Sequence, residues 1–173
     1  MILETERLVL REYTWDDFDW LYAILSDPET MQHYPKPYDQ KGTARWLEWS
    51  MENYQKYGFG LWAITLKSTG EMIGDCGITM QPINGKWLPE IGYHIDKHCW
   101  HRGYAKEAAC AVRNWCFEST DFDEVYSYMT CTNVASYSTA ASIGMQRIDQ
   151  YDDDGIPHYV YRITRAQWEK IKQ

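Results

Sequence analysis

The sequence predicts an α+β fold in which a mixed, mostly antiparallel sheet of about seven strands is flanked by helices. Along the 173 residues, short hydrophobic stretches of period two, typical of strands, alternate with longer stretches at helical spacing. Most neighbouring strands are joined by short turns, whereas one pair is separated by a helix, which favours a single parallel crossover. The length and the lack of linkers or repeats predict one domain over residues 1–173.

The first half of the chain predicts one strand, two helices and a hairpin. Thr14 is suited to cap a helix that has Asp16 and Asp17 in its first turn, where carboxylates interact favourably with the helix dipole. Pro35 and Pro37 interrupt regular structure in the polar stretch that follows. The expected segments are a strand over 7–13, a helix over 14–25, a loop over 27–40, a helix over 41–57, and paired strands over 61–66 and 72–78.

A strand and the helix after it organise the second half. Ile91, Tyr93 and Ile95 alternate with mostly polar residues, as in a strand with two different faces. From Gly103 onward the apolar residues recur at helical spacing. The segments expected after this helix are a strand over 124–130, a short helix over 133–143, paired strands over 145–151 and 158–163, and a last helix after Thr164.

The turn between this strand and this helix predicts a site for an anion. The first N–H groups of a helix have no partner within the helix, and the helix dipole favours negative charge beside them. Arg102 adds a cation suited to phosphate, and Gly103 permits a tight turn directly before the helix. Glycine is also common in such turns for reasons of geometry alone, so this pattern by itself leaves both interpretations open.

Composition restricts the classes of partner and the compartment. A formal net charge of −8 argues against nucleic acid as a partner, and no apolar stretch is long enough to cross a membrane. The five cysteines form no C-x-x-C pair, and the N-terminal residues are charged, without the apolar stretch of a secretion signal. We therefore expect a cytoplasmic protein with reduced thiols and no nucleic-acid or membrane partner, and leave a homodimer open as an alternative to a monomer.

Four segments carry a resemblance to a known family. Residues 100–108 read Trp-His-Arg-Gly-Tyr-Ala-Lys-Glu-Ala, and the others are 5–11, 90–93, and 133–136 followed by 143–145. In this order they resemble the GNAT N-acetyltransferases, and more narrowly the branch that includes the ribosomal-protein N-terminal acetyltransferases, where W-x-x-G-Y-A-x-E-A is common. The resemblance covers nearly the whole chain. It implies a GNAT-like fold with a splayed pair of strands around the central cofactor-binding helix.

The resemblance implies acetyl-CoA as the co-substrate and no metal. It places the pyrophosphate of coenzyme A on the backbone amides of the turn, and the pantetheine arm in the gap beside the organising strand. One backbone amide beside that gap would also polarise the thioester carbonyl. The residues implied for the cofactor are His101, Arg102, Gly103, Tyr104 and Ala105 in the turn, His94 and Ile95 on the strand, and Asn133 for the pantetheine arm.

The resemblance also implies direct attack of an amine on the thioester in a ternary complex. An amine attacks only as the free base, so a carboxylate is needed to take its proton, directly or through water. Glu90 matches the family position for this base, with a capping or sheet-edge carboxylate as the structural alternative. Many family members protonate the leaving sulfur with a tyrosine where this chain has Ala140. We therefore expect Ser136 in that role, with helix capping as its alternative.

The sequence leaves the acceptor amine open. A protein N-terminus and a small amine, such as a polyamine, an aminoglycoside or an amino acid, both fit the resemblance. By the same resemblance we expect Tyr34, Tyr38 and Trp87 to bind the acceptor. The alternative from another class is a non-catalytic sensor that binds acyl-CoA, because Ala140 removes the usual acid. A metal site is not expected, since the histidines around the turn lack the spacing of a tetrahedral set.

Overall fold

The computed structural model describes residues 2–172 and contains one eight-stranded sheet. Its strands are β1 (Leu3–Glu4), β2 (Leu8–Arg11), β3 (Leu61–Leu66), β4 (Met72–Ile83), β5 (Lys86–Ile95), β6 (Glu124–Thr130), β7 (Gln146–Asp153) and β8 (Ile156–Thr164). The order across the sheet is β1-β2-β3-β4-β5-β6-β8-β7, and every neighbouring pair is antiparallel except β5 and β6. The predicted fold class, a mixed and mostly antiparallel sheet with one parallel crossover, is confirmed.

Helices flank this sheet. They are α1 (Phe18–Leu25), α2 (Gln40–Tyr57), α3 (Tyr104–Ser119), α4 (Val134–Ser142) and α5 (Arg165–Lys172), with short 3-10 turns at Trp15–Asp17 and Lys97–Cys99. Ala108, Ala109 and Val112 of α3 are completely buried, and their small side chains let α3 lie close to β4 and β5. Within the described residues, no helix is both long and apolar enough to cross a membrane.

Two differences from the predicted sheet concern strand length. The eighth strand, β1, has two residues, with Leu3 opposite Leu10 of β2, which is too short for a period-two pattern to be visible. The β4–β5 hairpin is also longer than predicted: both strands continue to the turn at Asn84 and Gly85, which the Asn-Gly sequence itself indicates. Both turn residues have positive φ, 45° and 74°, and a two-residue turn of this kind matches the twist of the strands it joins.

β5 and β6 diverge from each other, and this opening positions the site. Among the described residues, their ladder has one registered pair, Glu90 and Tyr126. Next to it, the Ser127 hydroxyl donates to the Ile91 main-chain oxygen at 3.1 Å. The crossover between these strands is α3, so the splayed pair predicted around the central helix is confirmed. We call the opening between β5 and β6 the gap.

Candidate active site

The side chains of β5 alternate between the two faces of the sheet, and each face meets a different part of the chain. On one face, His94 contacts Tyr34 of the loop after α1 and Trp46 of α2. On the other face, the Tyr93 hydroxyl donates to the Ser136 main-chain oxygen of α4 at 2.7 Å. The gap lies at the edge of β5, so groups from both faces approach it.

Glu90, the predicted base, is buried where the gap begins. It is 8% exposed, and its carboxyl group accepts a hydrogen bond from the Thr79 hydroxyl of β4 at 3.3 Å. Burial raises the pKa of Glu90 to about 8, against smaller opposing effects of this hydrogen bond and of His94. A Cβ atom at Gly92 would lie 3.0 Å from Glu90 Oε2, so the carboxyl group occupies space that Gly92 leaves open. A carboxyl group with this pKa is well suited to accept and return a proton near neutral pH.

His94 links two further polar side chains on the same face. Its Nδ1 atom lies 2.8 Å from Asp75 Oδ1, and its Nε2 atom lies 2.6 Å from the Tyr34 hydroxyl oxygen. Burial by itself lowers the pKa of His94, but the carboxylates of Asp75 and Glu90 outweigh it, so the pKa is raised overall. Tyr34 is partly exposed, but its hydroxyl end is enclosed, and burial raises its pKa well above the ordinary value.

Asp75 anchors this arrangement from within the core. It is 1% exposed, and its carboxylate accepts hydrogen bonds from the His94 imidazole and from the Tyr13 hydroxyl, the latter at 2.9 Å. A buried carboxylate without such donors would be strongly destabilising. The apolar strand β4 therefore tolerates a charge here because each carboxylate oxygen has a partner.

The main-chain groups of β5 also alternate, between its neighbours β4 and β6. The His94 N–H donates to Asp75 Oδ1 on β4 at 3.1 Å, whereas the Ile91 oxygen accepts from a hydroxyl on β6. By this alternation Tyr93 and Ile95 turn their main chain toward the gap. Of the two residues predicted to present backbone groups to the pantetheine arm, Ile95 lies on the gap edge, and the His94 N–H points away from it.

The start of α4 lies against the opposite face of β5. Asn133 Oδ1 accepts a hydrogen bond from the Ser136 N–H at 3.1 Å, so Asn133 caps this helix. The capping role considered for Ser136 thus belongs to Asn133. Ser136 Oγ lies 3.3 Å from the Tyr93 hydroxyl oxygen. Ala140 is completely buried and has no acidic group, whereas the hydroxyl groups of Tyr93 and Ser136 meet here.

The turn before α3 has the geometry of an anion site. His101 and Gly103 have positive φ angles, 59° and 81°, and Gly103 is the N-cap residue of α3. Over residues 2–172, no side chain caps the helix by a hydrogen bond, so the N–H groups from Tyr104 and Ala105 onward have no capping side-chain acceptor. Arg102 is exposed beside them. The five residues predicted for the pyrophosphate, 101–105, thus span the end of this turn and the first two residues of α3.

A clamp from the N-terminal segment holds this turn against α3. Arg7 Nη2 lies 2.6 Å from Glu107 Oε2, and Arg7 Nη1 donates to the Arg102 main-chain oxygen at 2.9 Å. The Thr5 hydroxyl donates to Glu107 at 2.5 Å, and the Arg7 guanidinium lies over the Tyr104 ring at 4.5 Å. The Arg7 side chain thus bonds both to the turn, at the Arg102 carbonyl, and to α3, at Glu107.

An aromatic cleft lies beside the His94 face of β5. It has a volume of about 260 Å³ and is lined by Tyr38, Gly42, Arg45, Trp46, Trp49 and Gln81. Tyr38 packs on Trp46 with ring centroids 5.6 Å apart, and Trp46 meets the His94 ring edge-on at 5.3 Å. Trp87 is 59% exposed near the turn of the β4–β5 hairpin and does not line the cleft. A larger cavity of about 600 Å³ lies at the C-terminal end of α3 and contains none of the predicted site residues.

Four residues that the sequence did not single out complete the site. Asp75 could have been identified from the sequence, because a charged residue within an apolar strand pattern requires a buried partner. Tyr93 stands in the predicted strand, but only the placement of α4 brings its hydroxyl to Ser136. Arg7 and Glu107 are 100 residues apart and carry no local signal of contact.

The chain is similar to several known acetyltransferases. Residues 7–146 match a family described as "Acetyltransferase (GNAT) domain". The uncharacterized protein YkkB of Bacillus subtilis (strain 168) is 36% identical over 144 residues, which cover 83% of this chain and 84% of that protein. The structure of an acetyltransferase from Agrobacterium tumefaciens str. C58 is 32% identical with a TM-score of 0.81, covering 93% of this chain and 92% of that one.

A third relative shows that the fold extends to more distant proteins. The ribosomal L7/L12 alpha-N-protein acetyltransferase RimL, in complex with coenzyme A, has a TM-score of 0.77 at 17% identity, covering 94% of this chain and 97% of that one. At this identity the likeness concerns the fold alone. With the family match over residues 7–146 and the two closer relatives, the chain belongs to the GNAT acetyltransferase family.

Proposed function

We propose that this chain transfers an acetyl group from acetyl-CoA to a primary amine, which attacks the thioester directly in a ternary complex. The observation that carries the proposal is Glu90, a buried carboxyl group with a pKa of about 8 at the mouth of the gap. The same opening lies beside the turn before α3, where backbone N–H groups favour the pyrophosphate of coenzyme A. A proton acceptor and an anion site thus serve one opening in the sheet.

The acceptor amine enters from the face of β5 that carries Glu90. Most primary amines arrive as ammonium ions, and the Glu90 carboxylate takes one proton to give the free base. The nitrogen lone pair then forms a bond to the thioester carbon, and the carbon–sulfur bond breaks. We place the acceptor against Tyr34, Tyr38 and the aromatic cleft, whose ring faces attract a cation. Trp87, on the exposed hairpin, would contact the distal part of a longer acceptor.

The leaving sulfur is assigned to the other face of β5. Burial raises the pKa of Tyr93, so this hydroxyl stays protonated and serves as a donor. Tyr93 and Ser136 then form a pair of hydroxyl groups. The Ser136 O–H, or the Tyr93 O–H once it turns from the Ser136 main-chain oxygen, can hydrogen-bond to or protonate the sulfur. Tyr93 thereby supplies, from the strand, the phenol that Ala140 removes from α4.

The main chain binds the cofactor and stabilises the carbonyl oxygen. In the proposal the N–H groups of residues 101–105 hold the pyrophosphate, and Asn133 bonds to the pantetheine arm in addition to capping α4. The N–H groups of Tyr93 or Ile95, on the gap edge of β5, donate to the oxygen on which negative charge develops.

The acceptor is a protein N-terminus or a small amine such as a polyamine, an aminoglycoside or an amino acid. A cationic acceptor is supported by the net charge of −8 and by the aromatic cleft. All five cysteines are free thiols, which supports a cytoplasmic location. A monomer and a homodimer are both compatible with the proposal.

Turnover against a panel of amines and short peptides tests the proposal, with released thiol as the readout. Glu90→Gln should lower kcat/KM by about 10²–10⁴-fold and leave acetyl-CoA binding intact, because only the proton acceptor is removed. Glu52→Gln, an exposed glutamate on α2, is the matched control. Tight binding of acetyl-CoA without turnover on any acceptor would favour the sensor, and no binding would contradict the assignment of the turn.

A further inference from the structure

A second acid–base group lies on the same face of β5 as Glu90. The chain of hydrogen bonds from Asp75 to His94 to Tyr34 has spacings of 2.8 Å and 2.6 Å. Asp75 and His94 are 1% and 9% exposed, and Trp46 covers the imidazole edge-on. The chain of hydrogen bonds therefore leads from a buried carboxylate to the enclosed hydroxyl group of a tyrosine whose side chain is partly exposed.

The carboxylate determines where the protons lie. An ionised Asp75 is only an acceptor, so His94 Nδ1 carries a hydrogen atom and donates it to Asp75. Nε2 of the neutral imidazole is then an acceptor, and the Tyr34 O–H donates to it. The lone pairs of the Tyr34 oxygen remain to accept a hydrogen bond from an acceptor amine.

The proposed acetyl transfer requires two protons to leave the acceptor nitrogen. An ammonium ion loses the first before it attacks, and the nitrogen of the tetrahedral intermediate loses the second before the amide forms. Once Glu90 has taken the first proton, its carboxyl group is neutral and has no place for another. The second proton needs a different acceptor.

We propose that Tyr34, His94 and Asp75 form a relay that takes this second proton, an inference that rests on the proposed acetyl transfer. The Tyr34 oxygen accepts the proton from nitrogen while its own proton moves to His94 Nε2. An N–H and an O–H bond break, and a new O–H bond and an Nε2–H bond form, with no change of oxidation state. Tyr34 is the catalytic residue of the relay, and His94 and Asp75 are positioning residues.

The surroundings of His94 favour a proton on it. The titratable groups that face the imidazole are the carboxyl groups of Asp75 on β4 and Glu90 on β5, and at this step only Asp75 is charged, because Glu90 already holds the first proton. Tyr34 and Trp46, from the loop and from α2, are neutral, and Tyr13 binds the far oxygen of Asp75. The imidazolium formed by the relay is therefore stabilised by a charge that is already in place, until the proton returns to solvent through Tyr34 after product release.

The test compares Tyr34→Phe and His94→Gln with the wild type, and with His33→Gln, a change to the histidine beside Tyr34 in the chain. Each relay variant should lower kcat by about 10²-fold or more without raising the KM of acetyl-CoA, because the relay lies on the acceptor side. The double variant should be no slower than the slower single variant, since both remove the same path. His33→Gln should retain activity within about twofold.

The pH profile separates a relay from a purely structural role. Two groups must be unprotonated in the wild type, Glu90 and His94, so log kcat/KM should rise with a slope of two below both pKa values. In His94→Gln the slope should fall to one. Relay variants within twofold of the wild type, or an unchanged slope, would overturn the relay while the transfer stands. A wild type without turnover on any amine would instead overturn the transfer and the relay together.

Discussion

The buried carboxyl group of Glu90 should make the stability of the fold depend on pH, whether or not a substrate is bound. Burial raises its pKa from an ordinary value of 4.5 to about 8, so the folded state binds this proton more tightly than the unfolded state does. The associated stability is fully present below about pH 4.5 and is lost as pH rises through about 8. The Glu90→Gln variant does not lose this stability, because a glutamine side chain does not ionise. The free energy of unfolding of the variant should therefore exceed that of the wild type increasingly between about pH 5 and 8, by on the order of 1 kcal/mol per pH unit, and the difference should be constant above this range.

Urea unfolding of both proteins across this range measures the difference in the free energy of unfolding. The contributions of the other titrating groups are common to both proteins and largely cancel in this difference. Curves that stay parallel from pH 5 to 9 would mean that the carboxyl group is solvated. Glutamine keeps the size of the side chain and can still accept from the Thr79 hydroxyl, so the comparison isolates the charge.

Single residues of the site were predictable where a local pattern or the resemblance marked them. Glu90 stands on an alternating strand at the position that the resemblance marks for a base, and Gly103 precedes a helix whose first N–H groups favour an anion. The side chain of His94 was missed, because its chemistry depends on Asp75, 19 residues earlier in the chain, and on Tyr34, 60 residues earlier. Periodicity gives the face on which a side chain lies, but it does not give the partner across the sheet.

The turn before α3 depends on a contact from another element, and this gives a prediction about cofactor affinity. Arg7 bonds to Glu107 within the first turns of α3 and to the Arg102 carbonyl before it, so both ends of the turn share one anchor. Arg7→Ala removes the anchor. The KM for acetyl-CoA should rise by about tenfold, corresponding to ~1.4 kcal/mol, with little change in the KM of the acceptor.

Lys67→Ala is the control for this prediction. Lys67 is another cation of the same region: it pairs with Glu4 at 3.4 Å and donates to the Thr5 main-chain oxygen at 2.6 Å, whereas Arg7 bonds to Arg102 and Glu107. An equal rise in the KM of acetyl-CoA for both variants would indicate a general effect of positive charge on an anionic ligand. Steady-state kinetics at fixed ionic strength distinguishes the two outcomes, because screening weakens only the general effect.

The elements themselves followed well from the sequence. The 3.6-residue and two-residue periods lead to α2 and to β3 with boundaries close to the observed ones. The Asn84-Gly85 sequence itself indicates a turn, but the extension of β4 and β5 to this turn was not predicted. Pro82 and Pro89 within these strands cannot donate to the ladder. The ladder nevertheless continues through both prolines, because the tight turn at Asn84 and Gly85 holds the two strands in register.

In the molecule as a whole, the gap divides the sheet into two parts. β1 to β5 form one part and β6 to β8 the other, and the registered pair of Glu90 and Tyr126 joins them. Such a seam lacks most of the ladder hydrogen bonds that a closed strand pair has. A pantetheine arm that lies along the gap would add bonds to the main chain of β5, so the proposed cofactor would also strengthen the sheet.

Binding of coenzyme A should therefore stabilise the fold more than binding of its nucleotide part. At about 100 times its dissociation constant, a ligand stabilises the native state by ~2.7 kcal/mol, which corresponds to a rise in Tm of roughly 5–10 °C for a chain of this size. In the proposed binding mode ADP would reach only the turn before α3, so at equal concentration it should give a smaller rise. Hydrogen exchange at the amides of β5 that face the gap should slow with coenzyme A and not with ADP. Equal protection by both ligands would contradict an arm in the gap, because protection would then come from the turn alone.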